Sequence, residues 1–221
     1  MLKYDLTKIA PDMRFEIENR PDLSRLFSSF PETMLAAGKD AKTVKGVSEG
    51  YVTGILYLAP YNTSGVNICP MAGKAQCGEG CLFTAGRGRM SSVYYARLRK
   101  TLFLQQYESK ALDVIASDIV AITRKAHREN MKSAFRLNGT SDIRFENMGI
   151  MQEFSKAQFY DYSKTPNRKN IPSNYDLTFS YSGVSSFAPY VKQALENNMR
   201  IAAVFRDRKT VETMLQKGGK F

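Results

Sequence analysis

The chain contains three cysteines, and all of them lie between Cys69 and Cys81. Seven residues separate Cys69 from Cys77, and three separate Cys77 from Cys81. Half of the residues between them are alanine or glycine, so the backbone can fold closely around a bound group. Thiolates are soft ligands that suit zinc and iron–sulfur clusters. The clustering therefore indicates a metal centre held by Cys69, Cys77 and Cys81.

The identity of the bound metal depends on a fourth ligand. A structural zinc site normally has four protein ligands, and the single histidine, His127, is expected at a helix end on the surface instead. Three thiolates without a fourth protein ligand fit a [4Fe–4S] cluster with one iron left open. We adopt the cluster as the expectation, with zinc or no metal as the alternatives.

A basic turn, Ala85-Gly86-Arg87-Gly88-Arg89, follows the cysteines. Its glycines would let backbone N–H groups approach an anion, and Arg87 and Arg89 would add positive charge. We expect the two arginines to bind an anion or nucleic acid. The alternative is an ordinary solvated loop.

The elements that must position these residues alternate between strand and helix. The apolar run Tyr51–Ala59 predicts a strand buried on both faces, and further strands are predicted at 133–138, 158–163, 177–182 and 201–205. Two amphipathic helices follow residue 90, and shorter helices separate later strands. This alternation predicts parallel strands with right-handed crossovers. The expected fold class is α/β, a partial (β/α) barrel of about five to six parallel strands over residues 51–221, with residues 1–50 as an N-terminal arm and connector.

Polar side chains follow several of the predicted strands, where ligands bind in parallel α/β folds. Strand alternation places Arg136 on the same side as Asn138, and puts either Asp161 or Tyr162 with them. We expect one pocket over the cysteines, in which Lys164 binds an anion and the cofactor-binding residues are Asn138, Thr140, Asp142, Asp161, Ser180 and Arg206. The alternative is that each residue only caps a strand or turn.

Composition limits the possible partners. The formal net charge is +11, which is typical of proteins that attract nucleic acid or a phosphorylated small molecule such as a nucleotide. The alternative is a basic surface without a partner. No segment has the uninterrupted apolar length of a membrane span, and the N-terminus lacks a signal-peptide pattern. We therefore expect a cytoplasmic protein without a membrane partner, the host cytoplasm if a phage encodes it.

Several motifs resemble a family of uncharacterised phage and bacterial proteins akin to the phage gene product eighty-eight proteins. The motifs are Gly50–Pro60, Asn67–Pro70, Cys77, Cys81-Leu82, Thr84–Gly88, Arg136–Ile143, Phe159–Lys164, Pro166–Arg168 and Leu177–Ser180. The resemblance implies a phage origin and supplies no activity. Similar proteins continue into a further strand, which implies that this chain is truncated at its C-terminus.

A looser similarity is to radical S-adenosylmethionine enzymes, which place a three-cysteine loop after the first strand of a partial barrel. It implies that the open iron binds S-adenosylmethionine. The cysteine spacing here differs from the usual three and two residues of that superfamily, and Asn138-Gly139-Thr140 stands where a Gly-Gly-Glu segment is usual.

The expected function is a phage iron–sulfur protein, a radical-type enzyme acting on a nucleotide or nucleic acid. The alternative is a zinc- or cluster-stabilised nucleic-acid-binding module without catalysis. In that case the phosphates would be contacted by Arg87, Arg89, Arg97, Arg99 and Lys100. A third possibility is a structural protein whose cysteines brace a loop.

Overall fold

The computed structural model describes residues 1–37, 41–78, 81 and 90–216, and a six-stranded sheet lies at its centre. The strands are β1 (Leu35–Ala37), β2 (Tyr51–Leu56), β3 (Lys132–Arg136), β4 (Gln158–Ser163), β5 (Tyr175–Ser180) and β6 (Ile201–Ala202). The α-helices are α1 (Pro11–Asn19), α2 (Pro21–Phe27), α3 (Ala41–Ser48), α4 (Ser91–Gln106), α5 (Glu108–Arg128), α6 (Ile150–Glu153), α7 (Ala188–Glu196) and α8 (Arg208–Gln216). Two 3₁₀ turns, Phe145–Asn147 and Ser185–Phe187, precede α6 and α7.

The strands lie in the sheet in the order in which they occur in the chain. β2 to β6 pair in parallel, as the alternation of strands and helices predicted. β1 was not predicted and pairs with β2 antiparallel. Within the described residues β1 and β6 form the two edges, so the protein is a mixed α/β fold with an open, mostly parallel sheet.

Helix α5 covers one face of the sheet. Its buried stripe is the predicted apolar one, including Ile115, Ile119 and Ile122. Gly54 of β2 allows this close approach, because a Cβ there would lie 2.8 Å from Cδ1 of Ile122 and 3.0 Å from a ring carbon of Phe135. Gly54 and Phe135 are paired in the sheet, so they mark the helix-covered face.

The opposite face, which we call the open face, carries more polar side chains. Register places Thr53, Ala134 and Gln158 there in one row. Strand alternation adds Arg136, Tyr160 and Tyr162, and Tyr162 is paired with Thr178 of β5.

The N-terminal segment packs on the main body. Pro11 and Pro21, which interrupt the sequence, are the first residues of α1 and α2, where the missing N–H of proline costs no hydrogen bond. β1 is fixed by α5, because the Met34 and Leu35 N–H groups donate to Oδ2 of Asp118 at 2.6 and 2.8 Å. Side chains from this segment therefore share one apolar core with the sheet, among them Ile17 and Phe27.

Among the helices of the described residues, none combines the length and apolar character needed to cross a membrane.

Candidate functional site

The cysteine-bearing segment leaves β2 and is held against the carboxyl ends of later strands. The Asp142 N–H donates to the Ile68 carbonyl at 2.9 Å, and the Ser182 hydroxyl donates to the Ala75 carbonyl at 2.9 Å. Sγ of Cys69 lies 3.8 Å from the Thr140 carbonyl oxygen. Residues on both sides of β4 thus fix the segment above the sheet.

This arrangement encloses a cavity of about 270 Å³, which we call the cysteine cavity. Its wall includes eight of the predicted site residues: Cys69, Cys77, Cys81, Asn138, Thr140, Asp142, Lys164 and Ser180. Arg136 and Tyr162, which strand alternation placed on the same side, also line it. The structure therefore brings the three thiols and the ends of β3, β4 and β5 around one space.

The three cysteines are each half-buried. Burial raises the pKa of Cys69 to about 11. Burial also raises the pKa of Cys77, although the nearby positive charge of Lys164 opposes this. Both thiols are protonated at neutral pH, so they are poor nucleophiles in this form, and a bound metal would replace their protons.

The arrangement of the donor side chains bears on which of the predicted metal centres they could hold. Within the described residues no group of three cysteine, histidine, aspartate or glutamate side chains is placed to hold a metal ion. A cubane cluster makes a different demand, because each thiolate binds its own iron. Three cysteines on the wall of one cavity provide such a donor set. His127 is exposed in the last turn of α5, as expected.

Asn138 organises the loop after β3. Its Oδ1 accepts hydrogen bonds from the Ser141 hydroxyl and the Ile143 N–H, both at 2.8 Å, and its Nδ2 donates to the Ile143 carbonyl at 3.0 Å. These bonds use the side-chain amide, so its contribution to the cavity is to fix the shape of the wall. This matches the alternative stated for the polar residues after the strands, that each of them only caps a strand or turn.

Asp142 is fixed by Arg168, a residue that the sequence patterns did not indicate as part of the site. Nη1 of Arg168 lies 2.8 Å from Oδ1 of Asp142, and the same guanidinium pairs with the carboxylate of Glu146. The side chains of Arg168 and Glu146 are both fully buried. The Lys164 N–H and the Thr165 hydroxyl donate to the other Asp142 oxygen. Asp142 is therefore a fixed part of the wall.

Asp161 does not line the cysteine cavity, contrary to the expectation. It is paired with Leu177 and alternates with Tyr160 and Tyr162, so it projects from the other side of β4. Its carboxylate accepts from the Asn138 N–H at 3.0 Å and from the Tyr175 hydroxyl at 3.3 Å. Burial raises the pKa of Asp161 to about 7, although Arg136 acts in the opposite direction.

Arg206, expected in the pocket, is exposed after β6 and does not appear among the described residues of the cavity wall. Arg87 and Arg89 lie outside the described residues.

Among the described residues, Lys164 and Arg136 bring positive charge to the cavity. Nζ of Lys164 donates to the Ser180 carbonyl and hydroxyl at 3.2 and 3.3 Å, and burial lowers its pKa. The Arg136 guanidinium lies 5.3 Å from the centre of the Tyr162 ring. Its Nε is 3.4 Å from Oδ1 of Asp161, but the geometry is not that of a hydrogen bond, and this N–H has no other partner in the part of the chain that the structure describes. Lys164 and Arg136 therefore add positive charge to a wall that also carries the carboxylate of Asp142.

Arg97, Arg99 and Lys100 of α4, which the alternative function assigned to phosphate contacts, do not form an exposed surface. Arg99 donates to the Leu26 carbonyl at 2.9 Å, and Lys100 donates to the Met34 carbonyl at 2.7 Å. The Arg97 guanidinium lies 5.1 Å from the centre of the Tyr57 ring. All three are half-buried or tied to the N-terminal segment, because α4 packs against that segment.

Comparisons with known proteins identify the family of this chain. No curated protein and no solved structure matches it. A family model described as Gene product 88 matches residues 32–218. That range contains the three cysteines and every strand of the sheet, and the chain belongs to the gene product 88 family.

Proposed function

We propose that this protein holds a [4Fe–4S] cluster through Cys69, Cys77 and Cys81, which line the cysteine cavity, and that one iron would remain without a protein ligand. The observation that carries the proposal is that all three thiols line one cavity together with the ends of β3, β4 and β5. A site of this kind has ligand-binding groups opposite the metal instead of a fourth protein ligand. In this proposal β2 to β6 act as a partial (β/α) barrel with the cavity at its mouth.

A bound cluster of this type supplies an open coordination position and one electron at a time. The residues of the chain would bind and orient the ligand of that position. Lys164 and Arg136 supply positive charge for an anionic group such as a carboxylate, and Ser180 supplies a hydroxyl. S-adenosylmethionine, which carries a carboxylate, is the proposed ligand, and the proposed reaction is of radical type on a nucleotide or nucleic acid.

Reconstitution without oxygen tests the cluster. We expect a brown protein with about four irons per chain, and loss of iron when Cys69, Cys77 or Cys81 is changed to serine. The matched control is Thr140→Val, which alters the cavity wall without removing a thiol and should retain the iron. Circular dichroism checks that each variant is folded. Stoichiometric zinc without iron uptake would contradict the cluster.

Binding of S-adenosylmethionine is tested separately by equilibrium dialysis of the iron-loaded protein. We expect binding to the loaded protein, weaker binding after Lys164→Gln, and none after Cys77→Ser. Equal binding to loaded and iron-free protein would show that the open iron is not its ligand.

The formal net charge of +11 favours one second candidate, a nucleic-acid-binding module without catalysis. A binder that depends on phosphate contacts loses affinity steeply as salt rises. Titration with a single-stranded oligonucleotide at several salt concentrations would detect it.

A further inference from the structure

A second and larger cavity of about 700 Å³ lies on the open face of the sheet. Its wall includes Thr53 of β2, Tyr160 of β4, Thr178 of β5 and Arg200 before β6. These residues come from successive parts of the sheet and share the face that α5 leaves uncovered. The cysteines do not line this cavity, so it is a separate space.

The two cavities meet at Tyr162, which lines both of them. Tyr162 is 46% exposed, which is unusual for a large ring in a central strand. Tyr160, two residues before it, lies on the same face of β4. The open face therefore presents two neighbouring tyrosine rings against which a planar group could stack.

Hydrogen-bonding groups surround these rings. Thr53 and Gln158 lie in the row beside Tyr160, and Thr178 is the partner of Tyr162. At the far side Arg200 donates from Nε to the Thr178 hydroxyl at 3.2 Å and pairs with Asp176. Rings with hydroxyl, amide and carboxylate groups at their edges suit a flat heterocycle that has donors and acceptors of its own.

Arg136 lies beside this junction, in the wall of the cysteine cavity. Its guanidinium carbon is 5.3 Å from the centre of the Tyr162 ring and its side chain is 15% exposed. Its Nε lies 3.4 Å from Oδ1 of Asp161 and has no hydrogen-bond partner among the described residues. A buried N–H of a cation without an acceptor is costly unless a ligand engages it. A phosphate is an anion that an arginine fork can bind through two hydrogen bonds.

We propose that the open-face cavity binds a nucleotide, with its base stacked on Tyr160 and Tyr162 and its phosphate on Arg136. The base would lie in the open-face cavity, which the cysteines do not line, and the phosphate would reach Arg136 in the wall of the cysteine cavity. The inference rests on the proposed function only for the reaction that the ligand would undergo, because no contact to a cysteine is part of it. The ligand is either a free mononucleotide or the end of a nucleic acid strand, which share this chemistry.

Calorimetric titration of the full chain with the four nucleoside 5′-monophosphates tests the proposal. We expect at least one of them to bind, and the matching nucleoside and ribose 5-phosphate each to bind roughly tenfold or more weakly. Equal binding of ribose 5-phosphate and the nucleotide would overturn the stacking, and no binding of any nucleotide or oligonucleotide would overturn the site.

Variants locate the ligand. Tyr162→Leu should weaken nucleotide binding roughly tenfold or more, whereas Arg136→Gln should weaken binding of the nucleotide and leave that of the nucleoside unchanged. Arg136→Lys, which keeps the charge near Asp161, should give an intermediate effect. The matched control is Lys132→Gln, which removes one positive charge from the exposed start of the same strand and should have no effect. Unchanged nucleotide affinity in both Tyr162→Leu and Arg136→Gln would overturn the assignment.

Two further experiments distinguish a free mononucleotide from the end of a strand, and distinguish nucleotide binding from cluster binding. A short single-stranded oligonucleotide that competes with the mononucleotide for the same site supports a strand end as the source, whereas oligonucleotide binding that Tyr162→Leu leaves unchanged contradicts the site. Nucleotide binding should persist in Cys69→Ser. Failure of iron uptake with intact nucleotide binding would contradict the cluster alone, and the reverse result would contradict this inference alone.

Discussion

At the scale of single residues, Arg168 is the most constrained charged group of the candidate site. It lies in the loop between β4 and β5 and pairs with two carboxylates, one of them fully buried. Removing one partner of a buried ion pair leaves a charge without compensation, which costs more than the pair itself contributes.

We therefore expect Arg168→Met to lower the free energy of unfolding by about 3–5 kcal/mol, measured by urea denaturation. Adding Glu146→Gln should recover part of this loss, because the unpaired buried charge is then gone. The exposed pair of Arg14 and Glu18 is the control, and Arg14→Met should cost less than about 1 kcal/mol. If Arg168→Met is as unstable alone as it is together with Glu146→Gln, the unpaired charge of Glu146 is not the cause of the lost stability.

The sequence could not have predicted the role of Arg168. Its partners lie 22 and 26 residues earlier in the chain, in a 3₁₀ turn and in the loop after β3. Ion pairs at such a separation leave no periodic pattern. The cysteines were predictable as a group because they are close in sequence, and Asp161 was misplaced because its strand could be read with either face toward the site.

At the scale of secondary-structure elements, the clearest agreement between sequence and structure is in α5 and the parallel strands. An apolar stripe over twenty-one residues defines a helix and its buried face without tertiary information. β1 has only three residues, and Asp118 of α5 accepts hydrogen bonds from its first residue, Leu35, and from Met34 just before it. A strand stabilised in this way has too little pattern of its own to be predicted.

The packing of α5 on the sheet depends on the missing side chain of Gly54. We expect Gly54→Ala to destabilise the protein by about 1–3 kcal/mol, because the added methyl group overlaps Ile122 and Phe135. Thermal unfolding followed by circular dichroism measures this effect. Gly183→Ala is the control, since its Cβ would meet no atom within 4 Å. Equal melting temperatures for the two variants would show that α5 can shift to accommodate the methyl group.

At the scale of the whole molecule, Asp161 should make stability depend on pH. Burial raises its folded-state pKa to about 7, from an ordinary value of 3.8. Between these values the folded state binds more protons than the unfolded state, so this group lowers the free energy of unfolding as pH rises. Each pKa unit corresponds to about 1.4 kcal/mol.

Replacing Asp161 with asparagine removes this titration. We expect the free energy of unfolding of Asp161→Asn to change less than that of the unaltered protein between about pH 4 and pH 7, as measured by urea denaturation. Asp113→Asn, at an exposed position on α5, is the control and should keep the original pH dependence. An identical pH dependence in Asp161→Asn and the unaltered protein would assign the effect to other groups.

The attachment of the cysteine segment to later parts of the chain has a consequence for the timing of metal delivery. The groups that hold it, Thr140, Asp142 and Ser182, are synthesised after all three thiols. At roughly 5–20 residues per second, the ~60 residues between Cys81 and Asp142 take on the order of 3–12 s to make. During those seconds Cys69 and Cys77 lack the surroundings whose burial raises their pKa values, so these two thiols lose their protons more readily than in the finished protein. A metal delivered to the growing chain would therefore meet Cys69 and Cys77 in a more reactive form, whereas one delivered later would have to enter through the cavity.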